Sequence, residues 1–349
     1  MTTVTGDAVR VRRVQPDASD DWYHAAREQS CSHLAHSPEW AAVIREAYGH
    51  VPLYLAADDT HGGTGLLPAV IVERPLVGAV VTSMPFLDGG GPCSSSPAVS
   101  DVLVQHLVHE ARSIGASAVE LRSAHRLAIA AAPLEHKVNM VLPLPASTDT
   151  LWRQLDRGVR NQVRKAERAG LSVEFGGIEK VDAFYEIFAA RMHDLGSPVH
   201  APRFFHATVA AFGNRARVAL VRKDRTPVGG LIALAFKDTL AVPWASCARE
   251  HFALCPNMLL YWETIRTGCL EGFARFDFGR STRGSGTHHF KHQWGALEQP
   301  LYWYTIPIGC SRVARGESRA AACLTGLWQR LPLTVTRRVG PRVRKYLVQ

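Results

Sequence analysis

His36-Ser-Pro-Glu-Trp-Ala-Ala-Val-Ile-Arg-Glu-Ala-Tyr-Gly49 and His200-Ala-Pro-Arg-Phe-Phe-His-Ala-Thr-Val-Ala-Ala-Phe-Gly213 read as two copies of one phrase. Each goes His-x-Pro-x-aromatic, passes through an amphipathic helix and closes on aromatic-Gly. Glycine there accepts the left-handed conformation that ends a helix. A constant offset of 164 residues separates His36 from His200 and Gly49 from Gly213. A repeat of this length sets the architecture before any single residue is weighed.

Working outward, each copy continues in the same order. Apolar strands at 51–57 and 217–222 lead through polar turns into hairpin-like runs at 65–72 and 228–236. A third strand ends at Ser83-Met84-Pro85 in one copy and near Pro243-Trp244-Ala245-Ser246 in the other. Helices at 101–114 and 257–270 follow, stopped by Gly115 and Gly272, and both copies finish on a strand that closes with Arg-Ser, at Ser123 and Ser281. The order predicts an α/β fold with two tandem domains, each a mixed sheet flanked by helices. Pro143-Leu-Pro-Ala-Ser-Thr148 reads as the linker, which gives domains at 1–145 and 146–310 and a basic tail at 311–349. One helix is expected over 149–169, capped by Ser147 or Thr148 and stopped at Gly170.

The composition excludes several classes. A chain of 349 residues with 46% hydrophobic and 20% charged residues builds cores and is not a disordered polyelectrolyte. The formal charge of +9, carried mostly by arginine, suits an anionic partner, and equally suits a solvated basic surface. Seven cysteines, an odd number without C-x-x-C spacing, argue against a disulfide framework or zinc ribbon and fit a reducing compartment. No apolar h-region follows the N-terminus. The longest apolar stretch, 65–81, is broken by Glu73, Arg74 and Pro75 and reads as two strands. A cytoplasmic protein is expected.

Three segments carry chemistry. Arg157, Arg160, Arg164 and Arg168 share a helix face, with Asn161 beside them, which makes either an anion cradle or a solvated face. Asp277-Phe-Gly-Arg280-Ser281-Thr-Arg283-Gly-Ser-Gly-Thr-His288-His289-Phe290-Lys291-His292-Gln-Trp294-Gly295 leaves a strand through a Gly/Ser-rich loop, the kind of place where α/β sheets hold ligands. Lys291 sits between aromatic neighbours, where a cation can stabilise charge developing on a carbonyl or hold a phosphate. The histidines lack carboxylate or cysteine partners at ligand spacing, so no metal is assigned. Between Pro243 and Asn257, Trp244 lines a groove or packs in the core, Asn257 is placed as a helix N-cap, and Cys247 reads as a small buried hydrophobe.

Arg160-Asn161, Asn257-Met-Leu-Leu-Tyr-Trp-Glu263, Phe276-Asp-Phe-Gly-Arg-Ser281 and above all Phe290-Lys291-x-x-Trp294-Gly295 resemble the FemAB/FemX-like branch of the GNAT superfamily. The nearest look is to the subgroup accompanying PEP-CTERM/exosortase and exopolysaccharide systems, over roughly residues 30–305. The resemblance implies two GNAT-like domains and transfer of an acyl or aminoacyl group to an amine by direct attack. It implies Lys291 as catalytic. Asp277 and His289 are base candidates by position, and Arg160, Asn161, Arg164, Trp244, Asn257, Arg280, Ser281, Arg283 and Trp294 are substrate contacts. The donor stays open between acyl-CoA and aminoacyl-tRNA. CoA-binding members carry a glycine-bearing pyrophosphate loop before the central helix, and 249–257 has no glycine here. The long helical hairpin of several Fem proteins has no counterpart either.

The expected function is therefore an N-acyltransferase acting on a cell-envelope or exopolysaccharide precursor, an anionic small molecule or saccharide, with tRNA as an open partner. The other reading is a non-catalytic module that binds an anionic glycan, a lipid-linked precursor or a partner protein. The basic tail is suited to anionic lipid at the inner membrane face.

Overall fold

The computed structural model describes residues 9–15, 21–75, 78–309 and 319–347. It divides into two compact units, one of 1–138, 299–315 and 346–349, the other of 139–298 and 316–345. In chain order the elements of the first 136 residues are β1 (Val9–Val14), α1 (Asp21–Glu28), α2 (Glu39–Tyr48), β2 (Val51–Asp59), β3 (Thr64–Arg74), β4 (Gly78–Thr82), β5 (Cys93–Ser94), α3 (Pro97–Ser113) and β6 (Ala118–Ser123). Then come β7 (Lys137–Pro143), α4 (Thr148–Gln154), α5 (Arg157–Arg168), β8 (Leu171–Gly176), α6 (Val181–Asp194), α7 (Pro202–Phe212), β9 (Ala216–Lys223), β10 (Thr226–Phe236), β11 (Thr239–Cys247), α8 (Pro256–Leu270), β12 (Arg275–Thr282), α9 (Gly286–His292), β13 (Leu297–Pro300), β14 (Tyr302–Pro307), α10 (Arg319–Arg330) and α11 (Leu333–Arg344).

The first sheet runs β1-β2-β3-β4-β6-β14, with β5 on β3, and the second runs β13-β7-β12-β11-β10-β9-β8. The repeat is visible as two antiparallel meanders, β2-β3-β4 and β9-β10-β11. Each is extended by a parallel strand that returns after a helix, β6 beside β4 and β12 beside β11. Apolar side chains at alternate positions bury one sheet face. In the first unit Leu53, Leu55, Leu67, Val81, Val119 and Leu121 close on Leu103 and Leu107 of α3. Burial of that kind is worth about 1.5–3 kcal/mol per side chain.

The repeat's helices start and stop by local chemistry. In the first copy Gly49 takes φ +72 and donates its N–H to the Arg45 carbonyl, ending α2. Ser96 caps α3 by accepting from the Val99 N–H, and Pro97 follows at the first helical position, where its missing N–H costs nothing.

Three expectations need correction. The domain boundary expected at 145/146 is crossed by the sheets. β7 lies between β13 and β12 in the second sheet, and β14 pairs antiparallel with β6 as the edge strand of the first. A strand joins whichever sheet edge offers unpaired backbone groups, and sequence adjacency does not decide that. Second, the single helix expected at 149–169 is two. Leu155 is extended, and the Asp156 carboxylate accepts from the Gly158 N–H at 2.6 Å, starting α5 afresh. Third, Cys31 and Cys93 form a disulfide with Cα atoms 5.5 Å apart, although 62 residues of chain separate them. Cys247, Cys255 and Cys269 are free thiols.

The basic tail contains two helices. Residues 310–318 lie outside the described residues, but α10 and α11 are ordered helices. α11 docks on α6, where Arg337 pairs with both carboxylate oxygens of Glu186. Gly340 lets the helix approach Val199, since a Cβ there would lie 3.1 Å from the Val199 nitrogen. Among the described residues no helix is long and apolar enough to cross a membrane.

Candidate functional site around the end of the second sheet

The site begins where two parallel strands part. β11 and β12 pair only through Thr239–Ala241 and Arg275–Asp277, yet they continue to Cys247 and Thr282. Their C-terminal halves no longer share a ladder. Gly279, at φ +73, breaks the alternation of β12, so the buried positions run Phe276, Phe278 and then Ser281. Only glycine takes this left-handed turn without strain. Asp277 fixes the break: one carboxylate oxygen accepts from the Gly279 N–H at 2.7 Å and the other from the Asn139 side-chain amide of β7 at 2.9 Å. This arrangement makes Asp277 a bracket for the strand end.

α9 is laid on that strand end. Ser285 caps it by accepting from the His288 N–H. Lys291, one turn on, is buried at 8% exposure and donates from Nζ to the carbonyls of Gly279 at 2.9 Å and Arg280 at 2.7 Å. The ammonium thus sits against the backbone of β12 immediately after the strands part, and does not face bulk water. Phe290 and Trp294 flank it in sequence and join Tyr261 of α8 and Phe278 in one aromatic cluster, with ring centroids 5.2–6.5 Å apart. Trp294 is therefore a core residue, and its indole N–H is buried without a partner.

The three histidines separate by environment. His289 and His292 are exposed, whereas the His288 side chain is 12% exposed. Nε2 of His288 lies 2.7 Å from Glu298 Oε1, and its Nδ1 is buried with no partner. Glu298 also accepts from Arg283 Nε at 2.9 Å. These two hydrogen bonds hold its carboxyl below the usual glutamate range. A carboxylate on one ring nitrogen fixes the orientation of the imidazole and leaves its buried Nδ1 without a partner. Sequence spacing missed it because Glu298 lies on the next strand, ten residues away. The same ion pair gives Arg283 an internal partner, so its expected substrate contact competes with Glu298.

Other expected contacts are placed differently. Trp244 is buried edge-on against Phe204 and Phe205 of α7, at 5.4 and 5.3 Å, which makes it packing and not a groove wall. Asn257 is not the N-cap of α8. Cys255 is, at φ +60, with Pro256 first in the helix and Asn257 inside the first turn. Proline contributes no N–H, and the Met258 N–H is taken by the Cys255 carbonyl at 3.0 Å, so this helix start offers few donors to a pyrophosphate. Cys247 is buried, and burial pushes its thiol far up, which leaves it inert as a nucleophile. Arg280 is half-buried beside Lys291's anchor, and the Ser281 hydroxyl is buried without a partner.

α5 is strongly two-sided. Val159, Val163 and Ala166 are buried, while Arg157, Asn161, Arg164 and Arg168 are exposed. The Arg164 guanidinium lies 5.4 Å over Trp152, which in turn packs 4.6 Å from Trp262 of α8. Arg160 is half-buried with an unpartnered Nε.

The equivalent place in the first unit is closed by the chain itself. Arg122, the counterpart of Arg280, is 2% exposed; its guanidinium donates to the Leu87 carbonyl at 2.6 Å and lies 5.0 Å over Trp303. Ser83 accepts from the Arg122 N–H, and Gly91 donates to the Arg122 carbonyl at 2.6 Å. A Cβ at Gly91 would stand 2.9 Å from that same carbonyl oxygen. The 83–91 loop, with Met84, Phe86 and Leu87 buried, thus occupies the strand end that the second unit leaves to α9.

Comparison with known proteins agrees with this geometry. Residues 153–292 match the family model described as an acetyltransferase (GNAT) domain. Among curated proteins no sequence match is found. The solved structure of FemX aligns with a TM-score of 0.64 at 12% identity, covering 91% of this chain and 100% of that one. L-PGS from Bacillus licheniformis aligns at 0.55 and 12% identity, covering 91% and 98%. A tandem GNAT protein from the clavulanic acid biosynthesis pathway aligns at 0.50 and 10%, covering 87% and 100%. At these identities the likeness is one of fold, and the fold is that of two tandem GNAT-like domains.

Proposed function

Proceeding from a GNAT domain match over 153–292 within a tandem GNAT-like fold, we propose that this chain is an N-acyltransferase whose reaction centre lies where β11 and β12 part. The observation that carries the reading is Lys291: a buried ammonium anchored on the Gly279 and Arg280 carbonyls, at the end of the strand. In the reaction an amine nitrogen attacks the donor carbonyl, and the tetrahedral oxyanion forms beside the ammonium. The new C–N bond then replaces the donor's C–O or C–S bond, and the leaving group departs with a proton. Fixed positive charge in a water-poor setting is the strongest help a protein gives such a step. His288, oriented by Glu298, takes the amine proton in place of His289, and Asp277 is a positioning residue.

The acceptor we propose is an amine on a cell-envelope or exopolysaccharide precursor, on the resemblance of the Phe290-Lys291-x-x-Trp294-Gly295 run. The α8 start, poor in N–H donors and lacking glycine, favours an aminoacyl donor over CoA. The test is thermal unfolding with acetyl-CoA, longer acyl-CoAs and aminoacyl-tRNAs, followed by transfer to amino sugars and envelope precursors. An aminoacyl-tRNA that raises the melting temperature and is discharged onto an amine is the expected result. Stabilisation by a saccharide precursor with no transfer from any donor would make the chain a binding module instead.

A further inference from the structure

The C-terminal helices carry an unusual balance of residues. From Arg319 to Gln349 the chain has six arginines, one lysine and no aspartate or glutamate. α11 divides these by face. Its inner side is Thr336, Arg337, Gly340 and Arg344: Thr336 and Gly340 are buried, Arg337 pairs with Glu186 of α6, and Arg344 Nε lies 3.2 Å from His200 Nε2. Its outer side is Val335, Arg338, Val339 and Arg342, which are related by i+3 and i+4 spacings and are all exposed. Val335 is 39% and Val339 38% exposed, and Leu327 on α10 is 58% exposed. No salt bridge is made by Arg338 or Arg342 among the described residues; Arg342 donates only to the Arg338 carbonyl.

We infer that the outer face of α11 is a docking surface for an anionic lipid bilayer. Two arginines interleaved with two valines on one exposed stripe match a surface that is negative at the headgroups and apolar just beneath. A nucleic acid would accept the charge but offers nothing to the valines, and an apolar protein groove would leave the arginines unpaired. The inner face is already used to hold the helix on the second unit, so docking needs no refolding. The surface is distinct from the Lys291 centre and does not depend on the proposed reaction.

The test is co-sedimentation of the full chain with phosphatidylcholine vesicles that contain or lack phosphatidylglycerol, at low and high salt. Binding is expected only with phosphatidylglycerol and is expected to weaken with salt as the charges are screened. At about 1 kcal/mol per basic residue near an anionic surface, Arg338→Gln with Arg342→Gln lowers partitioning roughly thirtyfold. Val335→Ser with Val339→Ser lowers it at constant charge. Arg10→Gln with Arg13→Gln on β1 removes the same net charge elsewhere and is expected to keep most of the binding. Equal loss in that control, equal binding to pure phosphatidylcholine, or unchanged binding of both α11 variants overturns the proposal. Matching circular-dichroism melts for all variants show that a loss of binding is not a loss of fold.

Discussion

Lys291→Met keeps the length and apolar stem of the side chain and removes only the ammonium. The Gly279 and Arg280 carbonyls, at 2.9 and 2.7 Å, then lose their donor in a buried place. Hydrogen bonds to a charged group contribute about 1.5–3 kcal/mol each. Part of that is offset, because a buried ammonium no longer has to be desolvated. A net loss of about 1–3 kcal/mol follows, which for a unit of this size lowers the melting temperature by roughly 3–10 °C. If the same ammonium stabilises the oxyanion, turnover falls further, by about 10²–10³, the usual cost of removing one such group. Calorimetry gives the first number. Single-turnover transfer, measured well below both melting temperatures with kcat and KM separated, gives the second. Lys291→Arg is expected to regain much of the stability without the rate, since a planar fork cannot place its charge where the ammonium was. A Lys291→Met protein that loses stability as calculated but turns over like the parent would refute the reasoning. Lys291 would then be a staple between α9 and β12 and nothing more.

Three further outcomes follow from the same geometry. His288→Gln slows transfer by about 10²–10⁴, the range for a lost general base, while His289→Gln, at an exposed position, leaves the rate unchanged. Gly229→Ala places a methyl 2.2 Å from Cys247 Sγ and 2.8 Å from Val221 and destabilises the protein by about 1–3 kcal/mol, and Cys247→Ala in the same chain restores much of this without harming activity. His200 is buried and held below its usual range by desolvation, with Arg344 adding to the effect, so it is neutral in the folded state. Its depressed folded value costs nothing above the unfolded value near 6.5. Stability is lost as pH falls below that value, because only the unfolded chain takes up the proton. Melts from pH 7.5 down to 5 show the decline, and His200→Phe, which keeps the stacking on Phe204, is expected to remove part of it.

Much of the fold was legible because its signals are local. The repeat's helix stops, its apolar alternation and its matched strand ends each depend on a few neighbouring residues, and the structure returns them as α2 with Gly49, as α3 and α8, and as β6 and β12. The helix break at Leu155-Asp156 was equally local and readable in principle, since aspartate two residues before glycine is a capping signal. The candidate site was legible only in part. Lys291 stood out by its aromatic frame. The roles of Asp277, Trp244 and Arg283 depended on who lies opposite them: Asn139 for the first, the α7 phenylalanines for the second and Glu298 for the third.

Sequence by itself determined that two α/β copies stand in tandem, that their helices begin and end where capping residues fall, and that one basic, aromatic-framed segment follows the last strand of the second copy. These follow from periodicity and turn chemistry, whose range is a few residues. Tertiary structure decided which edge received β7 and β14, that Cys31 meets Cys93, that the first copy's strand end is closed by its own loop, and that Glu298 chooses His288 over its neighbours. Each of these is a pairing between groups far apart in the chain or on different elements. Open strand edges, thiols and carboxylates accept any suitable partner brought within reach, and only the packed chain brings one there.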